Sequence, residues 1–431
     1  MFGLIDCNNF YVSCERVFNP ALNNHPVMVL SNNDGCVISR SNEVKDLGIG
    51  MAVPTHEVKD LIKKHNIAVF SSNYTLYADM SNRVMNLLQG FVDEVEIYSI
   101  DEAFLNLAGM EHFNIKEYAE KITNTVYRGT GLPVSMGIAK TKTLAKVANK
   151  YAKKYPKYNN VCYIDTEDRQ IKALKITKIE DVWGIGRRFA RKLKEEGIIT
   201  AYDFIKMPRA WVRKNMTVVG ERVWCELQGE PCIELELVTP AKQQFCTSRM
   251  FGERLNDIGT IREAISTYAC LCSEKLRQQQ SSATSLMVFI CSTNGADKRP
   301  YYFPHKLIEM PVPTDSTLEI VKYALIALDS IYSDKYRYKK GGVILTEVIS
   351  NTAIQQNLFD TVDRKKHADL MQIMDKLNSG FAQNVLKLAV QGTSTNWNIK
   401  RDYLSKCYST NLNDIIIANC KRDKLFDSGC E

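Results

Sequence analysis

Three carboxylates stand where they could hold metal ions. Asp6 closes the apolar run Phe2-Gly3-Leu4-Ile5, and Asp101 and Glu102 interrupt an alternating stretch that begins at Val95. A short apolar run of this kind reads as a buried strand, here with an acid at its tip. Acids at strand ends of one rigid sheet suit paired Mg²⁺ ions and phosphoryl or nucleotidyl transfer. One ion would lower the pKa of an attacking hydroxyl, and the other would hold a triphosphate and the departing pyrophosphate. Adjacent strand residues face opposite sides. Asp101 and Glu102 therefore share a site only if the chain bends, which predicts a hairpin or bulge at 99–102. Taken alone, Asp101-Glu102 reads more simply as a pair of surface acids.

The elements that must position these acids follow from periodicity. Residues 26–30 form a second strand that runs into the polar turn 31–35. Residues 39–47 and 55–65 look helical. So does 77–91, with Met80, Val84, Leu87 and Leu88 on one side. A strand at 95–107, a helix at 115–127, a strand at 134–138 and a basic helix at 143–154 complete an α+β segment that ends near 165. A helical unit follows to about 240. A second α+β stretch spans 243–350, with strands at 245–254, 285–292 and 342–348 and helices at 260–278 and 317–331. Residues 351–431 read as a polar linker and a mobile tail.

Composition bounds the class. At ~100–200 residues per domain, 431 residues imply two to four domains. A hydrophobic fraction of 45% and a charged fraction of 24% exclude a disordered or collagen-like chain. No apolar run reaches the ~18–20 residues that cross a bilayer, and the N-terminus lacks the basic start of a signal peptide. These points predict a cytoplasmic protein without a membrane partner. The net charge of +7 permits a polyanionic partner without demonstrating one. The 13 cysteines are scattered and include no Cys-x-x-Cys, which argues against zinc and for reduced, buried thiols.

Longer motifs sharpen this. Asp6-Cys-Asn-Asn-Phe-Tyr11-Val-Ser-Cys-Glu15 and Tyr98-Ser-Ile-Asp-Glu-Ala-Phe104 closely resemble the two catalytic motifs of Y-family translesion DNA polymerases. Segments 29–37, 70–84, 137–146 and 181–187 resemble the bacterial UmuC branch, and the resemblance runs in order from residue 1 to about 410. It implies a right-hand polymerase, α+β and multidomain. The parts would be a palm (1–24 and 75–165), small fingers (25–74), a helical thumb with a helix-hairpin-helix (166–240), an α+β little finger (243–350) and a docking tail (351–431).

By the same resemblance, Asp6, Asp101, Glu102 and the carbonyl of Cys7 would hold two Mg²⁺ ions. Phe10 and Tyr11 would lie beneath the incoming sugar, with Tyr11 as steric gate: a ring against C2′ leaves no room for a 2′-hydroxyl. Ser39, Asn42 and Lys45, expected on one helix face, and the palm lysine Lys146 would bind the triphosphate. Other branches carry Tyr and Arg where Asn42 and Lys45 stand, and Arg40 is a neighbouring competitor. The implied activity is error-prone addition of dNTPs to a primer 3′-hydroxyl opposite damaged template, within the bacterial SOS response to DNA damage.

Residues 140–154 hold six lysines and no acid. Such a run is usually a solvated face, but beside a polymerase site Lys140 and Lys142 would meet phosphate. Trp183-Gly184-Ile185-Gly186 followed by Arg187 and Arg188 looks like the family's helix-hairpin-helix. Backbone N–H groups there approach a DNA phosphate without reading sequence. Gln355-Gln-Asn-Leu-Phe359 resembles a sliding-clamp peptide, with Gln355 at a pocket rim and Leu358 and Phe359 as anchors. Gln391-Gly392, Trp397 and Lys400-Arg401 resemble the C-terminal segment of the UmuC branch, which implies a UmuD-type dimer and allows a RecA filament as partners.

Two other classes fit parts of the sequence. A noncatalytic DNA-bound scaffold would recruit clamp and partners, but it needs no Asp6, Asp101 or Glu102. A nucleotidyl cyclase would use paired carboxylates on a palm, but it has no use for Tyr11, the hairpin or the clamp-like peptide.

Overall fold

The structure, a computed structural model, describes residues 1–110, 112–292, 301–355, 357–380, 385–393 and 397–417. The end of the tail expected to be mobile, 418–431, lies outside these residues. The strands are β1 (Phe2–Cys7), β2 (Val27–Leu30), β3 (Val37–Arg40), β4 (Ala68–Ser71), β5 (Val95–Ile97), β6 (Glu102–Asn106), β7 (Val134–Ala139), β8 (Val161–Tyr163), β9 (Phe245–Leu255), β10 (Ser281–Cys291), β11 (His305–Thr314) and β12 (Tyr338–Ser350). The helices of the first half are α1 (Phe10–Phe18), α2 (Asn42–Asp46), α3 (Lys59–Lys64), α4 (Tyr74–Leu88), α5 (Ile115–Thr130), α6 (Lys142–Lys154) and α7 (Glu167–Ile176). Those that follow are α8 (Arg187–Glu195), α9 (Ala201–Ile205), α10 (Arg209–Leu227), α11 (Ile258–Gln278), α12 (Thr317–Ile331) and α13 (Arg364–Ser379). The architecture is α+β. The chain divides into two compact units, one of residues 1–31, 35–238 and 403 onward, the other of 32–34 and 239–402.

In the first unit a five-stranded sheet runs β5-β6-β1-β7-β8. β1 is its centre, antiparallel to β6 and β7, with Asp6 opposite Glu102 and Ser135. Alternation along the strands sorts side chains between two cores. Ile5, Cys7, Ala103 and Leu105 pack with Val12 of α1, Met80 and Val84 of α4 and Ile122 of α5. Leu4, Phe104 and Ala139 pack on the other face with Leu144 of α6, Leu174 of α7, Leu193 of α8 and Val212 of α10. Asp6 shares the parity of Leu4, and Glu102 that of Phe104, so both acids face α6.

A smaller sheet, β3-β2-β4, covers its own core of Met28, Leu30, Val37, Val44 and Ile49. Residues 39–47 are not one helix. Ser39 and Arg40 belong to β3, where Val29 and Met28 pair with them, and α2 starts at Asn42, capped by the Ser41 side chain on Val44 N.

The second unit is an antiparallel sheet, β11-β10-β12-β9, backed by α11 and α12. Trp397 packs into this core edge-on to Tyr268, with ring centroids 5.8 Å apart. β11 and α13 were not foreseen from sequence.

Candidate active site

The site grows from the β1–α1 turn. Asn9 takes a left-handed conformation, φ 49°, which Asn tolerates better than most residues. That sharp turn starts α1 directly after β1 and puts Phe10 and Tyr11 beside Asp6 and Cys7. Across the sheet, the expected hairpin at 99–102 is present. Tyr98 N and Ser99 N donate to Glu102 O, both at 3.1 Å. Ser99 Oγ accepts from Glu102 N at 3.1 Å and donates to Asp101 Oδ1 at 2.6 Å. Cys7 N donates to Asp101 O at 2.9 Å, fastening the hairpin to β1.

α6 lies unusually close to β7. A Cβ on Gly137 would come within 2.1 Å of Asn149 N, so only glycine permits this approach. Asn149 Nδ2 then donates to Leu4 O at 3.0 Å and Ser135 O at 2.9 Å. This seating aims two lysines at the acids. Lys153 Nζ stands 2.5 Å from Asp6 Oδ1, and Lys146 Nζ 3.0 Å from Glu102 Oε2. Burial pushes the Asp6 carboxyl up to about 7; Lys153 pulls against this and the Glu102 charge adds to it. Lys146 also lies over the Tyr98 ring, 4.4 Å from its centroid, and near Trp183 at 5.4 Å.

One pocket of about 340 Å³ gathers Asp6, Cys7 and Asp101 with Tyr11, Ser39, Arg40, Lys45 and Lys153. Tyr11 is half-buried and stacks on Tyr77, centroids 4.5 Å apart at 15°, while Tyr74 meets it edge-on at 6.0 Å. Phe10 is buried beneath, 5.6 Å away. Burial pushes the Tyr11 hydroxyl up to about 12, so it stays protonated. Lys45 Nζ donates to Asn9 Oδ1 at 2.6 Å, and Asn9 Nδ2 to Asn42 Oδ1 at 3.2 Å. Ser39, Asn42 and Lys45 thus converge on Asn9, although Ser39 reaches it from a strand and not from the expected helix face. Arg40 adds more than the sequence suggested. Its Nε and Nη1 are buried without hydrogen-bond partners.

The DNA-contact expectation needs one correction. Lys142 is 2% exposed, with Nζ 2.5 Å from Glu96 Oε2 and 3.1 Å from Glu234 O. Its charge is spent holding residues 234–236 to β5, so it is not presented to phosphate; Lys140 is exposed. Trp183 donates from Nε1 to Tyr98 OH at 3.0 Å and packs edge-on against that ring. It therefore ties the 183–186 turn before α8 to the 98–102 hairpin. Gly184 has φ 88°, Gly186 caps α8, and Arg187 and Arg188 are exposed in its first turn. In the second unit Gln355 is exposed, and Leu358 and Phe359 are 93% and 86% exposed. Gln391 and Trp397 are buried there.

Residues 5–150 match the impB/mucB/samB family, and 242–358 match its C-terminal domain. The chain is 43% identical to Protein UmuC of Salmonella typhimurium over 419 residues, covering 96% of this chain and 99% of that one. The chain belongs to the UmuC branch of the Y-family DNA polymerases. Protein ImpB of Salmonella typhimurium is 41% identical over 97% of this chain and 99% of its own. A solved chimera of the Dbh and Dpo4 Y-family DNA polymerases superposes with a TM-score of 0.63 at 19% identity, covering 81% of this chain and all of that one. Residues 368–418 match a domain of unknown function. No helix among the described residues is long and apolar enough to cross a membrane.

Y-family polymerases depend on divalent metal ions, and the residues here fit such ions. Among the described residues no three His, Cys, Asp or Glu side chains form a ready-made cage. The acids nevertheless carry more negative charge than the buried site tolerates unaided: Asp6 is pushed upward, and Lys153 and Lys146 supply the balancing charge. Sequence reasoning placed Lys153 in the basic run but did not single it out. Its spacing from Lys146, seven residues or two helical turns, was the available signal.

Proposed function

We propose that this UmuC-branch polymerase adds dNTPs to a primer 3′-hydroxyl opposite damaged template, as an error-prone translesion enzyme of the bacterial SOS response. The carrying observation is that one pocket is lined by Asp6 and Asp101, by the Tyr11 ring and by Ser39, Arg40 and Lys45. Acids that can hold metal ions, an aromatic ring and cations in one pocket are the groups that the 3′-hydroxyl, sugar and triphosphate of a nucleotide call for. Asp6, Asp101, Glu102 and the Cys7 carbonyl would hold two Mg²⁺ ions. When bound, the ions lower the pKa of the 3′-hydroxyl and offset charge on the triphosphate.

The chain's own groups do the positioning. Tyr11 excludes a 2′-hydroxyl by bulk. Arg40, with unpaired buried N–H groups, takes triphosphate oxygens together with Ser39, Asn42 and Lys45, and Lys146 closes the palm side. Lys140, Gly184, Gly186, Arg187 and Arg188 hold template-primer phosphates. The palm comprises 1–24 and 75–165, the fingers 25–74, the thumb 166–240 and the little finger 243–350. Gln355, Leu358 and Phe359 dock the sliding clamp. A UmuD-type dimer and a RecA filament complete a cytoplasmic assembly.

Asp101→Asn tests the reading. Purified variant with primer-template, dNTPs, Mg²⁺, clamp and accessory proteins should lose incorporation while keeping DNA affinity. Retained incorporation removes Asp101 from the site.

A further inference from the structure

Residues 403–408 fall within the domain of unknown function and belong to the first unit. They lie against the start of α4 and the C-terminal half of α1, the helices that carry the sugar-side aromatics. Tyr403 N donates to Ser71 Oγ, and Ser71 N to Tyr403 O, each at 3.0 Å. Asn73 caps α4 by accepting from Leu76 N at 3.3 Å. Its Nδ2 donates to Ser405 O and Oγ at 3.1 Å and to Lys406 O at 3.3 Å. Tyr408 stacks on Phe18 at the end of α1, with centroids 5.1 Å apart. The segment therefore holds both α1 and α4.

A hydrogen-bonded relay leads from it to Tyr11. Ser405 Oγ donates to Glu15 Oε1 at 2.9 Å, and Tyr77 OH donates to the same oxygen at 2.7 Å. Glu15 is 2% exposed. A buried carboxylate is costly unless hydroxyl or amide donors surround it, and here two hydroxyls from distant parts of the chain do so. Burial pushes the Glu15 carboxyl up, and the Tyr77 and Ser405 hydroxyls pull it back. Tyr11 and Glu15 are four residues apart on α1, hence on one face. Tyr77 spans that pair, with its hydroxyl on Glu15 and its ring stacked on Tyr11 at 4.5 Å. Tyr77 is thus the back wall of Tyr11, and Glu15 sets where that wall stands.

We propose that residues 403–408 form a strap that positions the sugar-contacting ring Tyr11. Ser405 is a positioning residue that acts through Glu15 and Tyr77. The inference rests on Tyr11 being the ring against the sugar. It gives part of the 368–418 domain a role in nucleotide selection.

The test compares insertion of dNTPs and rNTPs by the full chain, with Tyr11→Ala as the reference. The ratio of the two kcat/KM values is taken within one preparation, so the folded fraction cancels. Ser405→Ala and Tyr77→Phe should each lower the preference for dNTPs roughly threefold to tenfold, the size of one buried hydrogen bond, and Ser405→Thr should restore it. Amide exchange should also quicken at 74–80 in Ser405→Ala. If Tyr11→Ala changes the ratio and Ser405→Ala and Tyr77→Phe do not, the strap is overturned while the gate stands. If Tyr11→Ala leaves the ratio unchanged, the gate fails and the positioning role with it. Unaltered amide exchange in Ser405→Ala overturns the strap whatever the gate does.

Discussion

Lys142 and Lys140 lie two residues apart in one basic run, yet their surroundings give them opposite work. Lys142 is buried against Glu96, whose Oε2 also accepts from Glu236 N at 3.0 Å. Lys142→Met strands that carboxylate in the interior and should cost about 3–5 kcal/mol, read as a lower denaturation midpoint. Lys140→Ala should leave stability within about 0.5 kcal/mol and lower the salt slope of DNA binding by about 1. A native midpoint in Lys142→Met would refute the structural assignment. Glu15 carries a second residue-scale expectation. Its folded pKa is raised by burial above the ordinary 4.5. Its contribution to stability is therefore full below that value and is lost as pH rises through the folded pKa. Glu15→Gln does not titrate, so its melting temperature should gain on the native protein as pH rises above 4.5; a difference that stays flat with pH would contradict this. Residue types announced the charges of this site, but partners decide roles. Lys153 and Arg40 were visible as basic residues, while the pairing of Lys153 with Asp6 depends on the close seating of α6 and the unpaired burial of Arg40 on β3.

Elements were legible where one strong period ruled. β1 read directly from its apolar run, and the adjacent acids Asp101-Glu102 forced the bend that the 98–102 hydrogen bonds form. β11 was missed because it is a sheet edge, mostly exposed along its first half, with Pro311 and Pro313 in its second. Proline survives on edges because no ladder partner needs its N–H, and it hides such strands from pattern reading. α13 was missed because it buries only Met371 and Met374, too few to give a periodic face. Residues 39–47 read as helix because Ser39 and Arg40 carry no β signal of their own; pairing with β2 imposes it. The hairpin before α8 offers the prediction at this scale. Gly184 has φ 88°, and a Cβ there would stand 2.7 Å from Val223 Cγ2 of α10. Gly184→Ala should cost at least about 1 kcal/mol and weaken DNA binding equally for all sequences. Unchanged affinity across unrelated duplexes would remove the hairpin from the DNA contacts.

Over the whole chain, a net charge of +7 named no partner because opposing patches cancel in it. Acids collect at the β1–β6 strand ends while Arg187, Arg188, Arg191 and Lys192 lie exposed on α8. The large apolar residues left outside the cores of the two compact units are therefore the more telling surface feature. Leu358 and Phe359 are almost wholly exposed and adjacent, preceded by exposed Gln355. Two neighbouring large apolar side chains in water cost roughly 1.5–3 kcal/mol each relative to burial, which a partner's pocket recovers. A clamp that accepts them converts each further nucleotide addition into a tethered event at high local concentration. Leu358→Ala with Phe359→Ala should therefore leave unassisted primer extension intact and abolish the gain in product length that clamp supplies. The comparison is run on long primed templates with and without clamp, and clamp binding is measured separately by titration. Equal stimulation of variant and native protein would show that the exposed pair serves some other partner.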